Sequence, residues 1–149
     1  MADDSMRPTD EPVDELLRSD DFDGTLAAID RTITDALPGI SRTLWRGVFW
    51  GGTEQAIIGY GRIEQPRPRG ASVEWFLLGL ARQKRHVSLY VNAADGREYL
   101  TKSYAPRLGT APGSVKAGAA ALTFGSAADV DFAVLAELAA HTGRVQPYD

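Results

Sequence analysis

The sequence predicts an α+β fold, with helices packed on one face of an antiparallel sheet of about five strands. Three observations carry this. An apolar stripe of helical period precedes residue 40. Apolar runs of strand character, separated by turn signals, fill residues 42–92. A second stripe of helical period closes the chain after residue 125. Helices before and after hairpin-linked strands leave one sheet face to the helices and the other to solvent or a partner.

Residues 1–12 hold prolines and acids without apolar periodicity, so the expectation is a disordered, dispensable acidic leader. Residues 13–149 then form a single α+β domain. "PVDELLRS" is long enough for at most two helical turns. "DDFDGTLAAIDRTITDALPG" places Phe22, Leu26, Ile29, Ile33 and Leu37 three or four apart, on one helix face. Asp20, Asp21 and Asp23 stand at its start, where carboxylates cap free N–H groups and meet the positive end of the dipole. Pro38-Gly39 ends it.

"RTLWRGVFW" and "EQAIIGYGRI" flank "GGT", a hairpin signal. "EQPRPRGAS" is a loop. "SVEWFLLGLA" and "HVSLYVN" read as two more strands, and "AADG" as a turn. "REYLTKSYAPRLG" is predicted as a short helix stopped by Pro106 and Gly109. After the loop "TAPGSVKAG" comes the short strand "AALTF". "SAADVDFAVLAELAAHTG" is predicted as one closing helix, capped by Ser126, with Val130, Val134, Leu135 and Leu138 facing the core.

Composition excludes several chemistries. There are no cysteines, hence no disulfide frame, thiolate nucleophile or Cys-ligated metal. Two histidines cannot build a His-rich centre. No G-x-S-x-G elbow, P-loop or H-E-x-x-H occurs, so the reading is non-enzymatic. The acidic start lacks the apolar core of a signal peptide, and runs such as "WFLLGLA" fall far short of the ~20 residues of a membrane helix. The expectation is a soluble, cytoplasmic protein with no membrane partner.

Charge is unevenly spread. Residues 1–23 carry nine acids against Arg7 and Arg18, whereas residues 24–149 carry eleven acids against fourteen Arg or Lys. An acidic arm thus precedes a mildly basic body. It reads first as a solvated leader, with a metal-attracting ridge or an arm folded onto the basic surface as sharper readings.

Arg82-Gln83-Lys84-Arg85-His86 is the most basic short stretch. It falls where "SVEWFLLGLA" must reverse into "HVSLYVN", so it reads as a solvent-facing hairpin corner. Val87, Leu89 and Val91 alternate with His86, Ser88 and Tyr90, giving one buried and one wet face. Trp75 and Phe76 sit in a run that is apolar on both faces, so a one-residue slip would exchange them. Whichever points outward would join Tyr90 or His86 on the open sheet face, with Arg82 nearby, as a small-ligand surface. Arg62, Arg67, Arg69, Arg82, Lys84 and Arg85 also gather in one region. Glu64 and Glu74 dilute that charge, and nucleic acid is not the expected partner.

"PGISRTLWRGVFW", "KRHVSLYV", "YAPRLG" and "LTFGSAADVDFAVLAELA", in that order, resemble the YdhG-like family of bacterial domains of unknown function. The resemblance spans roughly residues 23–143. It implies a frataxin-like fold of helices on one face of an antiparallel sheet, and it brings in an iron-chaperone role assigned within that family. By that analogy Asp20, Asp21 and Asp23 are candidate oxygen ligands for iron, the one cofactor considered. One departure stands against it: the family's G-K-x-C reads Gly118-Ala119-Ala120-Ala121 here, without its Lys or Cys. The leading expectation is therefore a non-enzymatic module that binds a small molecule or protein through the open sheet face. The alternative is a weak, frataxin-like iron chaperone using the N-terminal carboxylates. Glu137 and His141, four apart on the last helix, could also share an ion but read more simply as a surface pair.

Overall fold

The structure is a computed structural model of the chain that describes residues 6–20, 23–48, 54–65, 73–96, 98–118 and 120–149. In chain order it begins with strand β1 (Arg7–Pro8) and helices α1 (Val13–Asp20) and α2 (Thr25–Ala36). Strands β2 (Arg42–Val48), β3 (Glu54–Tyr60), β4 (Ile63–Gln65), β5 (Val73–Trp75), β6 (Leu78–Arg82) and β7 (Val87–Val91) follow. Then come β8 (Ala94–Asp95), β9 (Glu98–Tyr99), α3 (Leu100–Leu108), β10 (Lys116–Ala117), β11 (Ala121–Phe124) and α4 (Phe132–Val145). The fold is α+β. Among the described residues its main sheet has seven antiparallel strands in the order β1-β2-β3-β6-β7-β11-β10, and two short ladders pair β4 with β5 and β8 with β9.

The strand count exceeds the predicted five because each edge gains a two-residue strand too short for periodicity to reveal. At one edge Arg7 pairs with Arg46 and Pro8 with Trp45. Thr9 continues the attachment, its N–H and hydroxyl both donating to the Leu44 carbonyl at 2.9 and 2.7 Å. Proline suits this place, since an edge strand can spare an N–H. The described part of the expected leader, from Met6 onward, is therefore held against the body. At the other edge Gly118 N–H donates to the Ala121 carbonyl at 2.7 Å, where β10 passes into β11.

The helix stripe read from the sequence is the core. Leu26, Ile29, Ile33 and Leu37 are buried against Leu44, Ile58, Leu78, Leu80, Val87, Leu89 and Val91 of the sheet. Each such aliphatic side chain contributes about 1.5–3 kcal/mol on burial. Phe22 lies outside the described residues. A polar tie fixes α2 over this face: buried Tyr60 donates its hydroxyl to Asp30 Oδ1 at 2.7 Å, and Arg42 Nη1 reaches both Asp30 oxygens at 3.2 and 3.1 Å. The other Arg42 nitrogen meets Asp14 of α1 at 3.1 Å.

Three elements depart from the sequence reading. "SVEWFLLGLA" is two strands, β5 and β6, split at Phe76-Leu77. The buried Asn92 amide donates to the Phe76 carbonyl at 2.9 Å, and Asn92 N–H donates to the Leu77 carbonyl at 3.0 Å, which holds the break open. Pro106 lies inside α3 and does not stop it. Its ring is exposed, and the bond it forgoes belongs to the carbonyl of exposed Lys102, which water can satisfy. The closing helix is also two pieces. Ser126 and Asp129 form a capping box around a 3-10 turn, Ala127–Asp129, and α4 restarts with Asp131 as its N-cap.

The break at Phe76-Leu77 changes the back of the sheet. Both Trp75 and Phe76 turn to that face, so register does not choose between them. Their rings stack 4.6 Å apart, and Trp45 meets each edge-on at 5.6 and 5.5 Å. With Ile57 and Ala81 they form a second apolar cluster, flanked by Met6 and Tyr90. Two glycines make room. A Cβ on Gly79 would lie 2.4 Å from the Phe76 ring, and one on Gly59 would lie 2.5 Å from Trp45 Nε1. That indole N–H is buried with no acceptor among the described residues, which costs about 1–3 kcal/mol and is tolerated within the aromatic packing.

Gly79→Ala is therefore expected to destabilise the protein by about 1–3 kcal/mol through overpacking. Chemical denaturation with tryptophan fluorescence as the probe checks this. An unchanged midpoint would mean that Phe76 does not lie over Gly79.

Candidate functional site

The corner Arg82–His86 is the hairpin turn the sequence predicts: Gln83 N–H donates to the His86 carbonyl at 2.8 Å and the strands pair from Arg82 and Val87. It also forms one wall of a cavity of about 630 Å³. The apolar floor is formed by part-exposed Leu16 of α1 and Ala56 of β3, with the fully buried core residues Leu26 of α2 and Leu80 of β6 behind them. Arg46 and Gln55 complete the lining with the five corner residues. The cavity thus opens where β2, β3, β6 and β7 meet the helix layer. Ligand pockets run to about 300–1,000 Å³, and this one has that size; its lining is mainly polar, with Arg46, Gln55 and the five corner residues outnumbering the four apolar ones.

Each polar wall residue has a local cause. Along β2, Arg42, Leu44 and Arg46 share one side of the pleat, so Arg46 shares the side of core residue Leu44 at the strand end. Arg82 ends β6 on the side that Leu78 and Leu80 share. Gln83 Nε2 donates to Gln55 Oε1 at 2.9 Å and to the Tyr90 hydroxyl at 3.2 Å, joining the rim to the back face.

The acidic arm meets this basic wall. Glu11 Oε2 lies 2.6 Å from Arg46 Nε, and Asp23 Oδ1 lies 2.6 Å from Arg82 Nη2. Among the described residues no carboxylate pairs with Lys84 or Arg85. The hydrogen bond from Arg46 holds the Glu11 carboxyl below the usual glutamate range. Partial burial opposes ionisation of Asp23, yet bonds from Thr25 and the charge of Arg82 together hold it below the usual aspartate range. Asp23 accepts from Thr25 N–H at 3.1 Å, one residue before the position expected of a cap, because the N-cap of α2 is Gly24.

The predicted site residues therefore divide. His86 and Arg82 come together in the cavity. Tyr90 is half-buried and reaches the site through Gln83. Phe76 is fully buried and offers no contact area, and Trp75 packs between the two apolar clusters. Of the three candidate iron ligands, Asp20 ends α1, Asp21 lies outside the described residues, and Asp23 is engaged by Thr25 and Arg82. No group of three or more His, Cys, Asp or Glu able to hold a metal occurs among the described residues. The basic region does not act as one patch: Arg62 pairs with Glu74, Arg82 faces the cavity, and Arg67 and Arg69 lie outside the described residues. Arg46, Gln55 and Leu16 are site residues the sequence reading missed. A charge on the core register of β2 was the available signal for Arg46.

A second constellation links α3, α4 and β8. The Tyr104 hydroxyl lies 2.9 Å from His141 Nδ1, and His141 Nε2 lies 3.0 Å from Asp95 Oδ2. Glu137 turns instead to Arg107 at 2.6 Å, so Glu137 and His141 do not converge on a common ion site. Burial, with the nearby Glu137 charge, raises the Tyr104 pKa and keeps the phenol protonated. This chain of bonds ties the two helices to the β8–β9 ladder.

Compared with protein-family models, curated proteins and solved structures, the chain matches none. No helix among the described residues is long and apolar enough to cross a membrane.

The lowered carboxyls give a pH expectation. A carboxyl whose pKa is depressed in the folded state adds stability above its unfolded value, and that stability is lost as pH falls through the depressed value. In an NMR titration from roughly pH 6 downward, Glu11 and Asp23 are expected to titrate below the reference midpoints of about 4.3 and 3.9. Arg46→Gln is expected to raise the Glu11 midpoint toward its reference. Midpoints at or above reference in the unaltered protein would show that the arm does not sit on the basic wall.

Proposed function

We propose that the protein is a non-enzymatic module that binds a small ligand in the strand-end cavity. The supporting observation is the cavity itself: a concave space of ligand size with an apolar floor and a wall bearing Arg46, Arg82, Lys84, Arg85 and His86. The sheet face expected from the sequence is a poorer site, because its centre is filled by Trp45 and Phe76 of the chain itself. Binding therefore moves to the strand ends and keeps two of the expected residues, His86 and Arg82.

Iron handling through the N-terminal carboxylates would require Asp23 to leave both Thr25 and Arg82, and a nearby arginine repels a cation. That reading also lacks the Lys and Cys of the resembling family. The observations favour a ligand of opposite sign.

A pool of small metabolites screened by ¹H–¹⁵N NMR is expected to perturb Leu16, Leu26, Gln55, Ala56 and Arg82–His86 as one contiguous set. Perturbation confined to Trp75, Tyr90 and the back of the sheet, or none at the cavity, would overturn the reading. Ferrous iron that selectively broadens Asp23 would favour the alternative.

A further inference from the structure

The cavity is chemically two-sided, and the carboxylates on its rim indicate what it accepts. Arg46 and Arg82 each hold a carboxylate of the chain's own N-terminal segment, Glu11 and Asp23, at 2.6 Å. Lys84 and Arg85 add two more cations to the same wall, without a carboxylate partner among the described residues. Beside and below them lie part-exposed Leu16 and Ala56, the latter paired with Arg46 across the strands, with buried Leu26 and Leu80 behind. The described lining includes no carboxylate, so the wall favours negative charge, while the floor favours a hydrocarbon of a few carbons.

Resting on the proposed ligand-binding reading, we infer that the ligand is an amphipathic organic acid. Its anionic head, carboxylate or phosphate, lies on Arg46 and Arg82 in place of Glu11 and Asp23. Its apolar body lies on part-exposed Leu16 and Ala56. The exchange is favourable for three reasons. The guanidinium fork matches both carboxylate and phosphate, with charge-assisted bonds. The two displaced carboxylates are half-exposed, so water repays much of their loss. The incoming body covers apolar floor that Glu11 and Asp23 do not. Lys84 and Arg85, exposed at the tip of the corner, draw the anion in from solution. Glu11 and Asp23 thereby act as built-in competitors that hold the arginines in place in the empty protein.

Calorimetric titration of the full chain tests this with six probes: octanoate, octyl phosphate, octanol, octylammonium, acetate and inorganic phosphate. Octanoate and octyl phosphate are expected to bind more tightly than the other four, and their ratio tells which head is preferred. Arg46→Gln and Arg82→Gln are each expected to weaken octanoate roughly tenfold or more, the loss of one charge-assisted contact. Glu11→Gln and Asp23→Asn are expected to tighten it. If either arginine variant fails to fold by circular dichroism, Lys84→Gln with Arg85→Gln replaces it, with weaker octanoate binding and a shallower salt dependence expected. Octanol binding as tightly as octanoate, or octylammonium binding better, would overturn the anionic class while leaving the ligand module in place. If none of the octyl probes binds but the metabolite pool still perturbs the cavity, the class again fails alone. If neither binds there, the ligand-binding reading fails with it.

Discussion

Two glycines on the back of the sheet set the plan of this molecule. Gly59 and Gly79 lie on neighbouring strands, paired directly across β3 and β6. Their missing side chains leave a trough that Phe76 fills and Trp45 and Trp75 flank. To reach that trough the chain breaks between β5, which pairs with β4 in its own ladder, and β6 of the main sheet, and Asn92 holds the break by donating to the Phe76 carbonyl. Each edge-on or stacked aromatic pair adds about 0.5–1.5 kcal/mol beyond burial. The face that would otherwise stay wet is thus occupied by the protein itself, and the concave apolar surface that remains lies at the strand ends.

The helix side supplies the complementary constraint. Tyr60, Asp30, Arg42 and Asp14 form a continuous chain of polar contacts from β3 through α2 and β2 to α1. Burial lifts the Tyr60 hydroxyl well above its usual pKa, so it stays a donor. Desolvation opposes the Arg42 charge, but Asp30 and Asp14 outweigh it and raise its pKa, so it stays a cation. These contacts tie α1 to β2 and α2 to β2 and β3, which brings part-exposed Leu16 and buried Leu26 to the cavity. The cavity is the space this arrangement leaves beside the hairpin corner, and the acid–arginine pairs line its rim. The charge asymmetry of the sequence has a place in this plan: Glu11, Asp14 and Asp23 each meet an arginine of the body, at Arg46, Arg42 and Arg82.

Much of the architecture is legible in residue patterns. The stripe Leu26-Ile29-Ile33-Leu37 marks α2, because 3–4 spacing has no other common meaning. Val87-Leu89-Val91 marks β7 and its inner face. The turn at Gln83–His86 follows from charges set between two apolar runs. The Phe76-Leu77 break is hidden because that run is apolar on both faces and period two has nothing to register. The edge strands at Arg7–Pro8 and Lys116–Ala117 are hidden because two residues carry no period. The site is the least legible part, since its residues come from α1, α2, β2, β3, β6 and the corner. Only the corner itself is a continuous stretch of sequence, and His86 and Arg82 were accessible to sequence reasoning for that reason alone.

The account's central claim is that a ligand enters at the strand ends and leaves the aromatic face untouched. A crystal structure of the full chain soaked in 6-bromohexanoate tests this most directly, because anomalous scattering locates the bromine independently of any starting map. The account predicts bromine beside Leu16 and Ala56, with the carboxylate toward Arg46 and Arg82. Bromine against Trp75 and Tyr90, with the strand-end cavity empty, would contradict it.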